Sequence, residues 1–296
     1  MATHPSLMVY HRDAYRFINP DFEIELLKDD CSFSEGPVWN GEGFYLFSDI
    51  PENVIVKIEP GKGAEVYLQQ SGCTEGNQRL LAEQVGSNGL AYDAEGRLLI
   101  CQHGNGAVAQ YEHGVLKPLI ATYEGRPFNS PNDIVAHPGG TVFFSDPPYG
   151  LKNQQLQPEV NQPVAGIYGW RDGDLKLISR QYEYPNGVCL SPDGRSLFTC
   201  STKPFEAFVM EFDTATWDFK RNVANENSDG IKCDRMGNLY LCTKEGVVII
   251  DNEGRRLARI SLDTIPANCC WGGAVGNDLF ITARQNIFLI RNLQKA

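Results

Sequence analysis

The chain has 296 residues, 42% of them hydrophobic, and a formal net charge of −11. That length holds one large core or two modest ones, and the acidic balance, with no basic run to offset it, excludes a surface built for nucleic-acid phosphates. No apolar stretch is long enough to cross a bilayer as a helix, so no membrane partner is expected either.

Met1 to Phe17 carries scattered His and Arg in place of the apolar run of a secretory signal, and a cytoplasmic location is expected. The 29 Gly, 17 Pro and short runs of Val, Ile, Phe and Tyr point to strands joined by tight turns. Nine Cys, an odd number with no C-x-x-C pair, do not read as a disulfide framework. Several recur at fixed places in the pattern described next, as small buried fillers do. Cys269-Cys270 is the one vicinal pair.

In chain order, residues 1–20 read as a loosely attached arm, and 22–27 alternate as a strand. A repeating frame then begins. A Glu, Asp or Asn opens a short apolar run, a turn follows with Gly eight positions after the opening residue, and a second apolar run comes next. The frame opens at Glu35 (to Gly43), Asn88 (Gly96), Asn132 (Gly140), Asn186 (Gly194), Asp229 (Gly237) and Asn268 (Gly276). Turns such as Asn40-Gly41-Glu42-Gly43 and Ser191-Pro192-Asp193-Gly194 supply the residues that tolerate φ > 0. Two further apolar runs follow in most copies, and 152–165, rich in Gln and Pro, reads as a loop inside the third.

The interval between copies suits a four-stranded propeller blade. We therefore expect an all-β fold: one six-bladed β-propeller over 21–296, with four-stranded antiparallel blades. The sixth copy shows only three strands before the chain ends, so the strand at 22–27 is expected to complete it and close the ring. A β-sandwich or two stacked β domains would hold as many strands without explaining six copies of one frame.

In a propeller the first strand of each blade lines the central channel. Glu35, Asn88, Asn132, Asn186, Asp229 and Asn268 would then form a ring of oxygens at one end of it. Two carboxylates and several amide carbonyls suit a hard divalent cation, Ca²⁺ first and Mg²⁺ or Mn²⁺ next. Zn²⁺, which recruits His or Cys, fits least well. Six residues are too many for one ion, so those across the channel would meet substrate. The loops after each second strand should rim the same pocket, bringing in His103, which titrates near neutrality, and Tyr149. Asp49 and Asp146 share a repeat position, where they either join the site or brace loops. Arg126 reads as a solvated surface residue. A cation in a narrow cavity polarises a carbonyl, and a neighbouring carboxylate can deprotonate water or attack directly. The pattern alone does not rank Asp229 over Glu35.

The motifs Ser34-Glu35-Gly36-Pro37-Val38-Trp39, Asn129-Ser130-Pro131-Asn132-Asp133, Phe144-Ser145-Asp146-Pro147-Pro148-Tyr149-Gly150, Pro185-Asn186-Gly187 and Asp229-Gly230 resemble the gluconolactonase family, which includes regucalcin (senescence marker protein) and luciferin-regenerating enzyme. The likeness covers roughly 30–290 and is nearest the microbial gluconolactonase-like branch. It implies a six-bladed propeller with a divalent cation on Glu35, Asn186 and Asp229. Asn132 would be a further ligand or a substrate contact, and Asp229 the general base or nucleophile of lactone hydrolysis. Substrate contacts would come from Asn88, His103, Asn132, Tyr149 and Asn268. Gln102, in place of the usual Glu before His, and Cys269-Cys270-Trp271 depart from the family pattern and are expected to bear on substrate choice.

The function expected is metal-dependent opening of a small lactone, a sugar lactone such as gluconolactone, by a monomer or small homo-oligomer. The alternatives are the same site acting on another ester, a phosphotriester or a specialised biosynthetic lactone, and a calcium-binding propeller without catalysis.

Overall fold

The computed structural model describes residues 4–74, 84–206 and 208–295. Among these residues the frame becomes six antiparallel blades, and in the first four the strands run in chain order from inner to outer. Blade 1 spans 34–69, blade 2 87–120, blade 3 134–179, blade 4 185–224, blade 5 231–260 and blade 6 268–291. The first strands touch their counterparts in both neighbouring blades, blade 6 against blade 1 included, so the six form a closed ring. The protein is a six-bladed β-propeller.

Each frame glycine, from Gly43 to Gly276, has positive φ between 70° and 112°. That backbone is forced by the tight turn between the first and second strands, and a Cβ would oppose it. The residue after the opening position is often Gly for a different reason. A Cβ on Gly36 would fall inside the Asn88 carbonyl of the next blade, and one on Gly89 inside the Asn132 carbonyl. The inner strands approach that closely because they are bonded: Gly89 N–H donates to Asn132 O at 2.6 Å, and Gly187 N–H to Asp229 O at 2.9 Å.

Second strands are buried on both faces, since a neighbouring blade covers each. Phe143 packs with Ile167, Val188 and Leu197 toward blade 4, while Phe144 packs with Leu99, Cys101 and Val108 toward blade 2. Two faces of one strand thus fill two cores, with period two. Cys101, Cys200 and Cys242 occupy such positions, and none of the nine Cys, all among the described residues, is in a disulfide.

The outer strand of blade 6 is Glu23–Lys28, paired antiparallel with Asn286–Arg291. First and last strands of the propeller therefore share one sheet. Residues 4–20 are a correction to the expected loose arm. Leu7–Val9 adds a fifth strand to blade 5 against Arg256–Ile260, Leu7, Ala14, Phe17 and Ile18 are buried, and Lys295 N–H donates to Phe17 O at 2.8 Å. An unpaired outer edge and four apolar side chains suffice to dock the segment. Among the described residues no helix is long and apolar enough to cross a membrane.

Candidate active site

One end of the channel opens into a cavity of about 200 Å³. Five of the six opening residues line it: Glu35, Asn88, Asn132, Asn186 and Asp229. The loops after the second strands contribute Ile50, His103, Tyr149 and Thr202, as their repeat positions led us to expect. The topology explains the convergence. Going out along the first strand and back along the second returns the chain to the same end of the channel.

The approach to three of the opening residues is braced by a carboxylate. Asp49 accepts from Phe33 N–H (2.9 Å) and Ser32 N–H (3.0 Å), just ahead of Glu35. Asp146 accepts from Ser130 N–H (2.8 Å) and Asn129 N–H (2.9 Å), just ahead of Asn132. Of the two roles open to this pair, bracing is the one the structure displays. In blade 4, where Ser201 stands at that strand end, Glu206 reaches back to Glu183 N–H and Tyr184 N–H ahead of Asn186.

Glu35 is buried, with Oε2 accepting from Gly36 N–H at 2.9 Å. Burial first, and then the charge of Asp229, hold its carboxyl well above the usual range against the hydrogen bonds from Gly36 and the Asn268 amide. Asp229 is pushed up to about 7, chiefly by burial; the bond from Asn186 and the charge of Arg284 oppose the rise and Asp133 adds to it. Asn186 Nδ2 donates to Asp229 Oδ1 at 2.6 Å, and lies 3.5 Å from the Tyr149 hydroxyl, which is itself paired with Thr202 Oγ1.

These groups fit a hard divalent cation. Two carboxylates at one cavity, neither comfortable ionised, gain from a counter-charge. Asn186 Oδ1 and Asn88 Oδ1 are buried with no hydrogen-bond donor, which is the state of a carbonyl oxygen available to a metal. Among the described residues no three His, Cys, Asp or Glu side chains gather, so neutral oxygens, the Asn amides among them, would complete any coordination sphere. That donor set disfavours zinc.

His103 is fully buried in the cavity wall. Nδ1 faces Gln84 O at 3.1 Å and Nε2 faces Asn88 Nδ2 at 3.3 Å. These two contacts tie Asn88 to the cavity wall through the imidazole ring.

Three expectations need correction. Asn268 does not line the cavity: it is buried behind it, its Oδ1 accepting from Cys269 N–H at 2.9 Å and its amide bonding Glu35. Gln102 is not on the rim, since its amide ties Ser71 O (2.7 Å) to Asn105 (3.1 Å). Cys269 and Cys270 are buried, and Trp271 donates to Cys233 O at 2.9 Å, away from the cavity. Arg126 is exposed, bonded to Pro158 O in the 152–165 loop.

Frame reasoning missed Phe33, Gln84 and Gln154 in the wall, which lie outside the repeat. It also missed the buried pair Asp133–Lys232, at 3.3 Å, where Asp133 also accepts from Val188 N–H at 3.0 Å. A signal existed, since Asp133 follows its opening residue where four of the six copies have Gly.

The model of the SMP-30/Gluconolactonase/LRE-like region matches residues 33–285. A gluconolactonase from Zymomonas mobilis subsp. mobilis is 31% identical over 288 residues, 90% of this chain and 81% of that one. Among solved structures, a gluconolactonase from Xanthomonas campestris superposes with a TM-score of 0.84 at 24% identity, covering 98% of this chain and 94% of that one. A calcium-binding protein, regucalcin, from Agrobacterium tumefaciens superposes at 0.71 with 18% identity, covering 92% and 94%. Those two likenesses establish the fold.

Proposed function

The chain belongs to the SMP-30/gluconolactonase/LRE-like family, and we propose that it is a divalent-metal-dependent lactonase. The observation that carries this reading is that Glu35 and Asp229, from opposite ends of the sequence, meet at one cavity beside the undonated Asn186 carbonyl. Glu35, Asn132, Asn186 and Asp229 would hold the cation, with Ca²⁺ best suited to that set. When bound, it would polarise the lactone carbonyl and favour the oxyanion that follows.

The remaining work falls to the side chains. Asp229 takes a proton from the attacking water, whose oxygen adds to the carbonyl carbon. The ring C–O bond breaks, and the proton passes to the leaving ring oxygen, giving an open hydroxy acid. Asn88, Asn132 and Tyr149 offer amides and a hydroxyl suited to the hydroxyls of a sugar lactone, while His103 holds Asn88 in place.

The test is proton release from glucono-δ-lactone and from a panel of carboxylic esters and phosphotriesters, with Ca²⁺ and with chelator. Turnover of the lactone that chelator abolishes is expected. Turnover of a phosphotriester alone, or lactone turnover indifferent to exhaustive chelation, would overturn the reading.

A further inference from the structure

A second cavity, of about 400 Å³, lies beside the first. Gln154 lines both. A pair of tyrosine rings stands between them. Tyr149, in the wall of the first cavity, packs on Tyr184, in the wall of the second, with ring centroids 5.5 Å apart. The Tyr184 hydroxyl donates to Gln154 O at 2.9 Å.

The second cavity runs between the 148–165 loop and the 180–184 segment leading into blade 4. Pro148, Leu156, Val164 and Ala165 give it apolar walls. Tyr182 and Tyr184 add ring surface only, because their hydroxyls are already committed: that of Tyr182 donates to Thr199 O at 3.1 Å and Phe208 O at 3.0 Å. Arg180 and Glu183 are both exposed here, and their opposite charges cancel any preference for an ion. In the strip dividing the cavities, Asn153 and Gln154 stand in succession in the left-handed region, at φ 57° and 53°. Residues with side chains adopt that backbone reluctantly, and proteins place such strain at ligand clamps.

We propose that this second cavity is a subsite for a substituent on the lactone ring. The first cavity is sized for a small ring and the second for an apolar appendage, so the substrate class is a lactone bearing an aliphatic chain or aromatic group. The inference rests on the lactonase reading and refines it.

The test uses the full chain with Ca²⁺ and a series of δ-lactones, from δ-valerolactone to its hexyl derivative, substituted at the carbon bearing the ring oxygen. kcat/KM should rise about two- to fourfold per methylene until the cavity is filled, chiefly through KM. Leu156→Asp, at a position 36% exposed and so harmless to folding, should erase at least tenfold of the gain on the hexyl lactone. It should leave δ-valerolactone within twofold of the parent. A flat chain-length profile with δ-valerolactone still hydrolysed overturns the subsite alone, as does a rising profile that Leu156→Asp leaves unchanged. Absence of turnover on every lactone overturns the subsite and the lactonase reading together.

Discussion

Asn186 of blade 4 donates through Nδ2 to Asp229 Oδ1 of blade 5 at 2.6 Å. Beside that bond, Gly187 N–H donates to Asp229 O at 2.9 Å, so side chain and main chain lock the same two strands together. The lock uses the amide nitrogen of Asn186 and leaves its oxygen undonated. A residue that could have capped its own turn is thereby turned into a ligand candidate.

Removing either carboxylate charge should separate activity from folding. Asp229→Asn and Glu35→Gln are each expected to lower kcat/KM by about 10²- to 10⁴-fold. Both should keep the parent circular dichroism spectrum. Because each removes a carboxyl that burial holds up, and Asp229→Asn also removes the charge that raises Glu35, the metal-free variants should melt no lower than the parent. Parent-like hydrolysis by either variant would remove the catalytic assignment.

The metal-free protein should lose stability as pH rises. Asp229 sits at about 7, above its ordinary value of 3.8, so between those values the folded state keeps a proton that the unfolded chain has released. That contribution is complete below the unfolded value and is gone once pH has passed about 7. Glu35, also raised, acts with the same sign. Urea midpoints measured from pH 4.5 to 8 in chelator should fall, and fall less steeply in Asp229→Asn. A midpoint that climbs equally in both proteins would contradict the raised carboxyl.

Calcium should reverse that trend. A cation that binds only the folded state stabilises it by mass action, about 2.7 kcal/mol at a hundredfold excess over Kd. The melting temperature should therefore rise with calcium concentration at pH 8, and Glu35→Gln should blunt the rise. Zinc, lacking His or Cys partners, should bind more weakly in competition. Calorimetric titration showing no calcium uptake would exclude the site.

Asn268 acts at one remove, through Glu35. Asn268→Ala is expected to weaken calcium affinity about 10- to 100-fold, as loss of a ligand's supporting hydrogen bond does elsewhere, and excess calcium should rescue kcat. A fall in kcat that no calcium concentration restores would instead mark a direct role with substrate.

Lys232→Met should destabilise the fold by about 3–5 kcal/mol, because it strands Asp133 as a buried, unpaired charge. Asp133 is almost fully buried and its partner largely so. Denaturation midpoints will show this, and a loss under about 1 kcal/mol would mean that water reaches Asp133.

Local physics was enough for the blades and for most of the ring. A turn that requires φ > 0 writes Gly at a fixed place, and a strand covered on both faces writes an unbroken apolar run. Both marks recur six times, so the fold and the five opening residues that line the cavity could be read from residue order. Asn268 carries the same mark and still lies behind the cavity, because its partner, Glu35, comes from the other end of the chain. The docking of residues 4–20 was equally hidden, since Leu7 pairs with Ile260. So was the second cavity, whose walls join a loop of blade 3 to the entry of blade 4. Periodicity encodes what each residue does to its own strand and turn. Which atoms meet across blades depends on how neighbouring sheets pack, and that was decided only in three dimensions.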